Sequence, residues 1–308
     1  MKKPLIILTG PTAVGKTKSS IALAKVLNGE IISADSMQVY KHMDIGSAKI
    51  RPEEMQGVKH YLIDDLEPDE EFNVVRFQKM AKRAMDEIYK KGKIPIVVGG
   101  TGFYIQALLY NIDFTDSQED NTYRMELERI ALKKGAEYLH GMLKEVDSAA
   151  AQSIHANNIK RVIRALEFYK QTGTRISEHN EHERAKESPY KYCYFVLNDE
   201  RANLYERINL RIDQMLEEGL VKEVSELKEK GYTKDMVSMQ GLGYKEILDY
   251  LNGECTLEEA IYILKRDTRH FAKRQLTWFR RESDVIWVDK QDFNHDEDKI
   301  LQSIIDTI

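Results

Sequence analysis

The chain is predicted to be an α/β protein: a parallel sheet flanked by helices, interrupted by an all-helical domain. Three observations predict it. Over residues 1–113 short apolar runs alternate with amphipathic helical stretches, the pattern of parallel βαβ units. A glycine-rich string, "GPTAVGKT", stands between the first apolar run and the first helix. The stretch 114–191 is charged and helical without a buried-strand run, and "YCYFVL" then resumes the sheet pattern. The expected organisation is therefore a core of 1–113 plus 192–308 and a helical insertion of 114–191. With 308 residues, 42% hydrophobic and 31% charged, there is ample apolar material for such a core.

Each element has its own signature. Leu5 to Leu8 is a continuous apolar run, as in a strand buried on both faces. Thr9 to Gly15 is loop, and Lys16 to Leu27 a helix with Ile21, Leu23, Ala24 and Leu27 toward the sheet. Glu30 to Ala34 is a second strand ending at Asp35. A helix from about Phe72 to Lys91 is stopped by Gly92, and Ile94 to Val98 is another buried strand running into "GGTG", where the backbone turns tightly or approaches something closely. Helix resumes near Phe103, and "DFTDSQEDNTY" from Asp113 is an acidic turn. After Tyr192 to Leu197, long helices start near Arg201 and Leu257, and a strand at Val285 to Val288 and a terminal helix close the chain.

The string "GPTAVGKT" satisfies G-x-x-x-x-G-K-[ST] in its proper setting, with a strand before and a helix after. This makes the fold P-loop NTPase-like. Gly10 and Gly15 let the loop of Gly10, Pro11, Thr12, Ala13, Val14 and Gly15 wrap an anion, with N–H groups from all but the proline. Lys16 adds a mobile charge, and the Thr17 hydroxyl suits Mg²⁺. The cradle specifies a diphosphate or longer, not a nucleotide. No NKxD or DxxG string of a GTP switch occurs, and the later strand "IPIVV" ends in glycine rather than the metal-holding Asp of an ATP-driven motor. Asp35 lies at the carboxyl end of the second strand, where α/β proteins transform ligands. It either activates an attacking group or caps a following helix.

A second polyanion footprint runs through "KRDTRHFAKRQLTWFRR", residues 265–281. On a helix Ile261, Leu264, Thr268, Phe271, Ala272 and Leu276 form an apolar stripe flanked by Lys and Arg, with Trp278 and Phe279 nearby, which reads as an RNA-binding surface or as a solvated basic face. Lys160, Arg161 and Arg164 make a smaller patch better explained as an amphipathic helix. His179 and His182 have ligand-like spacing but no third ligand, so a solvated face is the better reading. Arg211 sits where a helix could return a cation to the cradle.

The formal charge of −5 excludes a molecule drawn as a whole to nucleic acid or anionic membrane. Cys193 and Cys255 lie far apart outside any CxxC, which fits a reducing compartment and not a disulfide framework or zinc site. The apolar run near the N-terminus is too short for a signal peptide, and no run approaches membrane-spanning length. A cytoplasmic monomer is expected.

Together, "GPTAVGKT", "ISADSMQVYKHMDIGSAK", "HYLID", "IPIVVGGTGFYIQALL", "MQGLGYKE" and "KRQLTWFR" resemble, in the same order, the motifs of the tRNA dimethylallyltransferase family. The likeness covers nearly the whole chain and, without a C-terminal zinc-finger spacing, is to the bacterial form. It implies transfer of a dimethylallyl group from dimethylallyl diphosphate to N6 of the adenosine 3′ of the anticodon. It also implies that the cradle holds that diphosphate, with Lys16, Thr17 and Arg211 binding it, Mg²⁺ on Thr17, and Asp35 as base. Thr101 would contact the target nucleotide region. The tRNA anticodon stem-loop would lie along Asp35, Ser36, Met37 and Gln38, and along Lys160, Arg161 and Arg164. It would continue over Gln240, Gly241, Gly243, Tyr244 and Lys245, then Lys273, Arg274, Gln275, Trp278 and Arg280, with Arg124 carried over from the insertion. Two other readings stay open on the residues alone: an ATP-consuming phosphotransferase of the nucleoside-kinase type, and a non-enzymatic RNA-binding scaffold.

Overall fold

A computed structural model describes residues 2–114 and 122–308, so most of the acidic turn lies outside the described residues. The chain divides into two compact units, Met1–Leu109 with Pro189–Ile308, and Tyr110–Ser188.

The first unit is built on a six-stranded sheet of order β3-β2-β4-β1-β5-β6. The strands are β1 (Lys3–Thr9), β2 (Gly29–Ser33), β3 (His60–Tyr61), β4 (Ile94–Gly99), β5 (Tyr190–Asn198) and β6 (Ile286–Asp289), and every neighbouring pair is parallel. The two-residue β3 has no apolar run of its own and escapes the sequence pattern. The helices between strands are α1 (Lys16–Val26), α2 (Val74–Lys90) and α3 (Gly102–Leu109). Helix α2 starts where the Asn73 side chain accepts from the Arg76 amide and buries Phe77, Ala81, Ala84, Met85 and Ile88, a 3.6-period stripe. Leu8, Leu23, Phe195 and Leu197 lie at the centre of the main core, each fully buried. A second cluster fixes the chain beyond β2: Phe77 stacks on Tyr104 at 4.6 Å, and Phe72 meets Tyr40 and Tyr104 edge-on.

After the helical unit the chain adds β5, then α9 (Arg201–Glu217), α10 (Leu220–Glu229), α11 (Tyr244–Leu251) and α12 (Leu257–Phe279), and after β6 it ends in α13 (Glu297–Thr307). A capping box between Thr256 and Glu259 starts α12. The second unit comprises α4 (Thr122–Lys134), α5 (Ala136–Val146), α6 (Ser148–Ser153), α7 (Ile159–Thr172) and α8 (Ile176–Arg184), packed around Leu127, Leu139, Leu143, Val162 and Leu166. Among the described residues no helix is long and apolar enough to cross a membrane.

At the amino end of β2, remote from Asp35, the buried Glu30 accepts from Lys91 (2.8 Å), Lys93 (2.9 Å) and Tyr61 (2.8 Å). Burial alone would push this carboxyl up, but the three hydrogen bonds bring it down to about 2. Its stabilisation is complete above the unfolded carboxyl value of about 4.3 and is lost as pH falls through the folded value. Glu30→Gln is expected to lower stability at pH 7 by about 1–3 kcal/mol. The difference from the parent, followed by urea unfolding, should vanish as pH drops from 5 toward 2; a difference independent of pH would contradict the assignment.

Candidate functional site: a phosphate cradle at the carboxyl edge of the sheet

The cradle is the turn from β1 into α1. Gly10, Ala13 and Gly15 take positive φ of 146°, 62° and 99°, so the loop curls around its own centre. Its polar groups are tied from several sides. Lys16 Nζ donates to the Gly10 and Pro11 carbonyls at 2.9 and 2.8 Å. Arg207 Nε on α9 donates to the Ala13 carbonyl at 3.0 Å, and Lys290 Nζ, beyond β6, to the Val14 carbonyl at 3.3 Å. From α12, Gln275 Oε1 accepts from the Thr12 amide at 2.8 Å while its Nε2 donates to the Gly100 carbonyl at 3.0 Å. One buried side chain thus joins the cradle to the "GGTG" turn.

Beside the cradle the ends of β2 and β4 come together. The Ala34 amide donates to the Val98 carbonyl at 2.8 Å and the Thr101 amide to the Ala34 carbonyl at 3.3 Å. A Cβ on Gly99 would stand 2.2 Å from the Ala34 oxygen, so only glycine permits this approach. The contact brings the Thr101 amide onto the peptide that precedes Asp35. Asp35 Oδ1 accepts from the Met37 amide at 2.8 Å and the Gln38 amide at 3.4 Å. No helix follows, so the expected helix cap is a cap on a turn. Both bonds fix the carboxylate through one oxygen, Oδ1.

Lys16, Asp35 and Arg211 feel one another. Burial lowers the Lys16 ammonium to about 8, with Asp35 opposing and Arg211 reinforcing the shift. Burial also lowers Arg211, against the pull of Asp35. Asp35 and Arg211 are thus both within electrostatic reach of Lys16. Thr17 is exposed one residue into α1. Among the described residues no group of three or more His, Cys, Asp or Glu could hold a metal. A hydroxyl beside a polyphosphate cradle still suits Mg²⁺, which keeps waters and takes ligands from phosphate.

The basic helix α12 divides in two. Lys265 pairs with Asp213, Arg266 with Asp267, and Arg269 donates to Asn209 Oδ1 at 2.8 Å. These three belong to the fold. Farther along, His270, Lys273, Arg274, Thr277, Trp278 and Arg281 line an open groove of about 450 Å³. The buried stripe is Ala260, Leu264, Ala272, Gln275 and Phe279, while Ile261, Thr268, Phe271 and Leu276 are only half-buried. Trp278 packs edge-on against Phe103 at 6.1 Å, and a Cβ on Gly102 would come within 2.2 Å of its ring.

Several residues expected to line RNA are engaged internally. Gln275 is buried as described. Tyr244 is fully buried and donates to Glu223 Oε1 at 2.8 Å. Gln38 accepts from Ser33 Oγ at 3.2 Å, Gln240 Nε2 donates to the Lys234 carbonyl, and Lys245 pairs with Glu246. Gly241 leaves room for Met37, whose sulfur would lie 2.6 Å from a Cβ there. Gly243 opens α11 at φ 95°. Ser36 is half-buried, and Lys273, Arg274 and Arg280 are exposed. In the helical unit, Lys160 and Arg161 are exposed and Arg164 is half-buried on α7. Arg124 makes a two-pronged pair with the buried Glu167 at 2.8 and 2.7 Å. His179 lies against the Phe168 ring at 4.8 Å.

Three residues escaped the sequence reading. Arg207, Lys290 and Glu223 lie outside every motif quoted above. Glu223 accepts from the amides of Asp44, Ile45 and Gly46 at 2.9, 2.7 and 3.0 Å and so holds the "DIGSAK" loop. No signal short of the folded structure would single them out.

The fold and the loop together define a P-loop α/β protein with a carboxylate, Asp35, at the end of the neighbouring strand. The family model described as IPP transferase matches residues 38–282. A tRNA dimethylallyltransferase of Lachnoclostridium phytofermentans is 66% identical over 302 residues, 98% of this chain and 96% of the relative. One from Acetivibrio thermocellus is 55% identical over 300 residues, 97% of this chain and 96% of that one. Among solved structures, the tRNA isopentenylpyrophosphate transferase of Bacillus halodurans superposes with a TM-score of 0.73 at 48% identity, covering 99% and 96% of the two chains. A eukaryotic dimethylallyltransferase acting on tRNA gives 0.81 at 32% identity, over 93% of this chain and 74% of that one. The chain belongs to the IPP transferase family, that of the bacterial tRNA dimethylallyltransferases.

Gln275→Leu is expected to orphan the Thr12 amide and the Gly100 carbonyl and to destabilise the protein by about 1–3 kcal/mol. Urea unfolding measures it, and an unaltered midpoint would show that the bridge contributes nothing.

Proposed function

We propose that the protein transfers the dimethylallyl group of dimethylallyl diphosphate to N6 of the adenosine 3′ of the tRNA anticodon, releasing diphosphate and leaving N6-isopentenyladenosine. What supports this reading is a loop curled around its own centre, with Asp35 held by its own turn at the end of β2 and both Asp35 and Arg211 within electrostatic reach of Lys16. Such a set supplies groups for leaving-group stabilisation and for proton removal.

In the reaction the allylic carbon–oxygen bond breaks and its electron pair leaves with the diphosphate. The allylic cation is delocalised, so the barrier lies mainly in stabilising the departing anion. Loop amides, Lys16 and Arg211 act where that charge develops, each worth on the order of 3 kcal/mol of barrier. Burial lowers the Lys16 ammonium to about 8, which leaves it mostly charged at pH 7, and a bound polyanion would favour the charged form further. Mg²⁺ held by Thr17 and phosphate oxygens would neutralise part of the same charge. The adenine N6 lone pair then bonds the carbon. The nitrogen becomes acidic as it does so, and Asp35 accepts its proton through Oδ2, since Oδ1 is held by the Met37 and Gln38 amides. The target base must leave its stack to reach this point, with Thr101 beside it.

The groove of His270, Lys273, Arg274, Thr277 and Arg281 is the proposed seat for the phosphates of the anticodon stem-loop, with Lys160, Arg161 and Arg164 of the helical unit as further contacts. Phosphate contacts would position the RNA, and contacts to the unstacked base would select it. The proposed setting is the cytoplasm, with the chain acting as a monomer.

Asp35→Asn keeps an oxygen for the Met37 and Gln38 amides and removes the base. Transfer from dimethylallyl diphosphate should fall by about 10²–10⁴-fold, while tRNA affinity stays within a few-fold. Intact turnover with weakened tRNA binding would refute the base assignment. Changing Lys273 and Arg274 together to Ala should weaken tRNA binding and flatten the dependence of log affinity on log salt by about 2, near one unit for each phosphate no longer neutralised. An unaltered slope would take both residues off the interface.

A further inference from the structure

We propose that Lys290 and Arg207 are positioning residues for the transfer, a two-sided clamp that aims the amides of the cradle at the diphosphate; the proposal rests on the function inferred above. In a trans peptide the C=O and N–H point in opposite directions. Holding the Ala13 carbonyl outward turns the Val14 amide inward, and holding the Val14 carbonyl outward does the same for Gly15. Arg207 takes the first carbonyl at 3.0 Å and Lys290 the second at 3.3 Å. Ala13 is a non-glycine residue at φ 62°, a conformation that persists when its surroundings enforce it.

Both cations are themselves fixed. Arg207 also donates to Asp199, a carboxylate with no exposed side-chain surface. Asp199 in turn accepts from the Glu200 amide at 2.7 Å and from Asn203 at 3.2 Å, and contacts His295 Nε2 at 3.1 Å. Lys290 has only 5% of its surface exposed and pairs with Glu297, which accepts from Ser19 Oγ on α1 at 3.4 Å. A buried ammonium needs such a partner. Its Nζ would lie 3.1 Å from a Cβ on Gly15, so the amine is pressed against the back of the loop. Neither residue faces the tRNA groove on α12, so removing the clamp should be felt by the diphosphate and not by the RNA.

The test compares the parent with Lys290→Met, Lys290→Arg and Arg207→Lys in steady-state transfer, with inorganic diphosphate as inhibitor and thermal melting as a check on folding. Lys290→Met and Arg207→Lys should raise the KM for dimethylallyl diphosphate and the inhibition constant of diphosphate together by about tenfold, with the KM for tRNA unchanged. Lys290→Arg should recover most of the loss. Folded variants with a lower Tm but unchanged diphosphate inhibition would overturn the proposal, as would a KM for tRNA that moves by the same factor. If Lys290→Met does not fold, Arg207→Lys decides by the same criterion. If the parent transfers nothing to tRNA, the functional reading fails. Diphosphate binding to parent and variants by calorimetry then decides the clamp by the same tenfold difference.

Discussion

A loop that turns its amides toward an anion must put its carbonyls somewhere. Buried carbonyls without donors would cost about as much as the anion contacts contribute. This chain answers with side chains from distant elements: Lys16 for Gly10 and Pro11, Arg207 for Ala13, and Lys290 for Val14. Gln275 ties down the Thr12 amide from α12. The cradle is therefore not a local motif that happens to sit in a fold. Its shape depends on α9, α12 and the segment after β6, all of which follow the helical insertion in the sequence.

The same dependence explains the arrangement of the rest of the site. Gly99 lets β4 close onto the end of β2, which bonds Thr101 to the residue before Asp35, and Gln275 joins that turn to the cradle. Asp35 is aimed by two amides of its own turn, and Arg211 lies on the same helix as Arg207, one turn farther on. The cradle, the Asp35 turn and Arg211 are thus coupled by geometry: a shift in α9 or α12 disturbs the set.

Much of this was legible in the sequence. Buried strands announce themselves as apolar runs, so β1, β2, β4 and β5 were found within a residue or two, and the glycine-lysine string placed the cradle. Asp35 stood out because it ends an apolar run, and it does lie just past β2; Arg211 drew its proposed role from the family resemblance. What was not legible was any role defined by a partner far along the chain. Lys290 and Arg207 look like ordinary surface cations until their distances to Val14 and Ala13 are known. Lys265, Arg266 and Arg269 look like RNA ligands until α9 supplies Asp213 and Asn209, with Asp267 beside them on α12. Gln275 and Tyr244 fall inside motifs that resemble RNA-facing segments, yet their side chains are spent inside the core. The short β3 carries no periodicity to read.

In the proposed reaction the cradle grips the leaving diphosphate of an isoprenoid while a carboxylate next to it takes a proton from adenine. This reaction is tested most directly by mass spectrometry of the nucleosides from tRNA incubated with the protein and Mg²⁺, with dimethylallyl diphosphate in one arm and ATP in the other. The account predicts an adenosine heavier by one isoprenoid unit in the first arm and neither modified RNA nor ATP cleavage in the second. Productive splitting of ATP, with tRNA unchanged in mass in both arms, would contradict it.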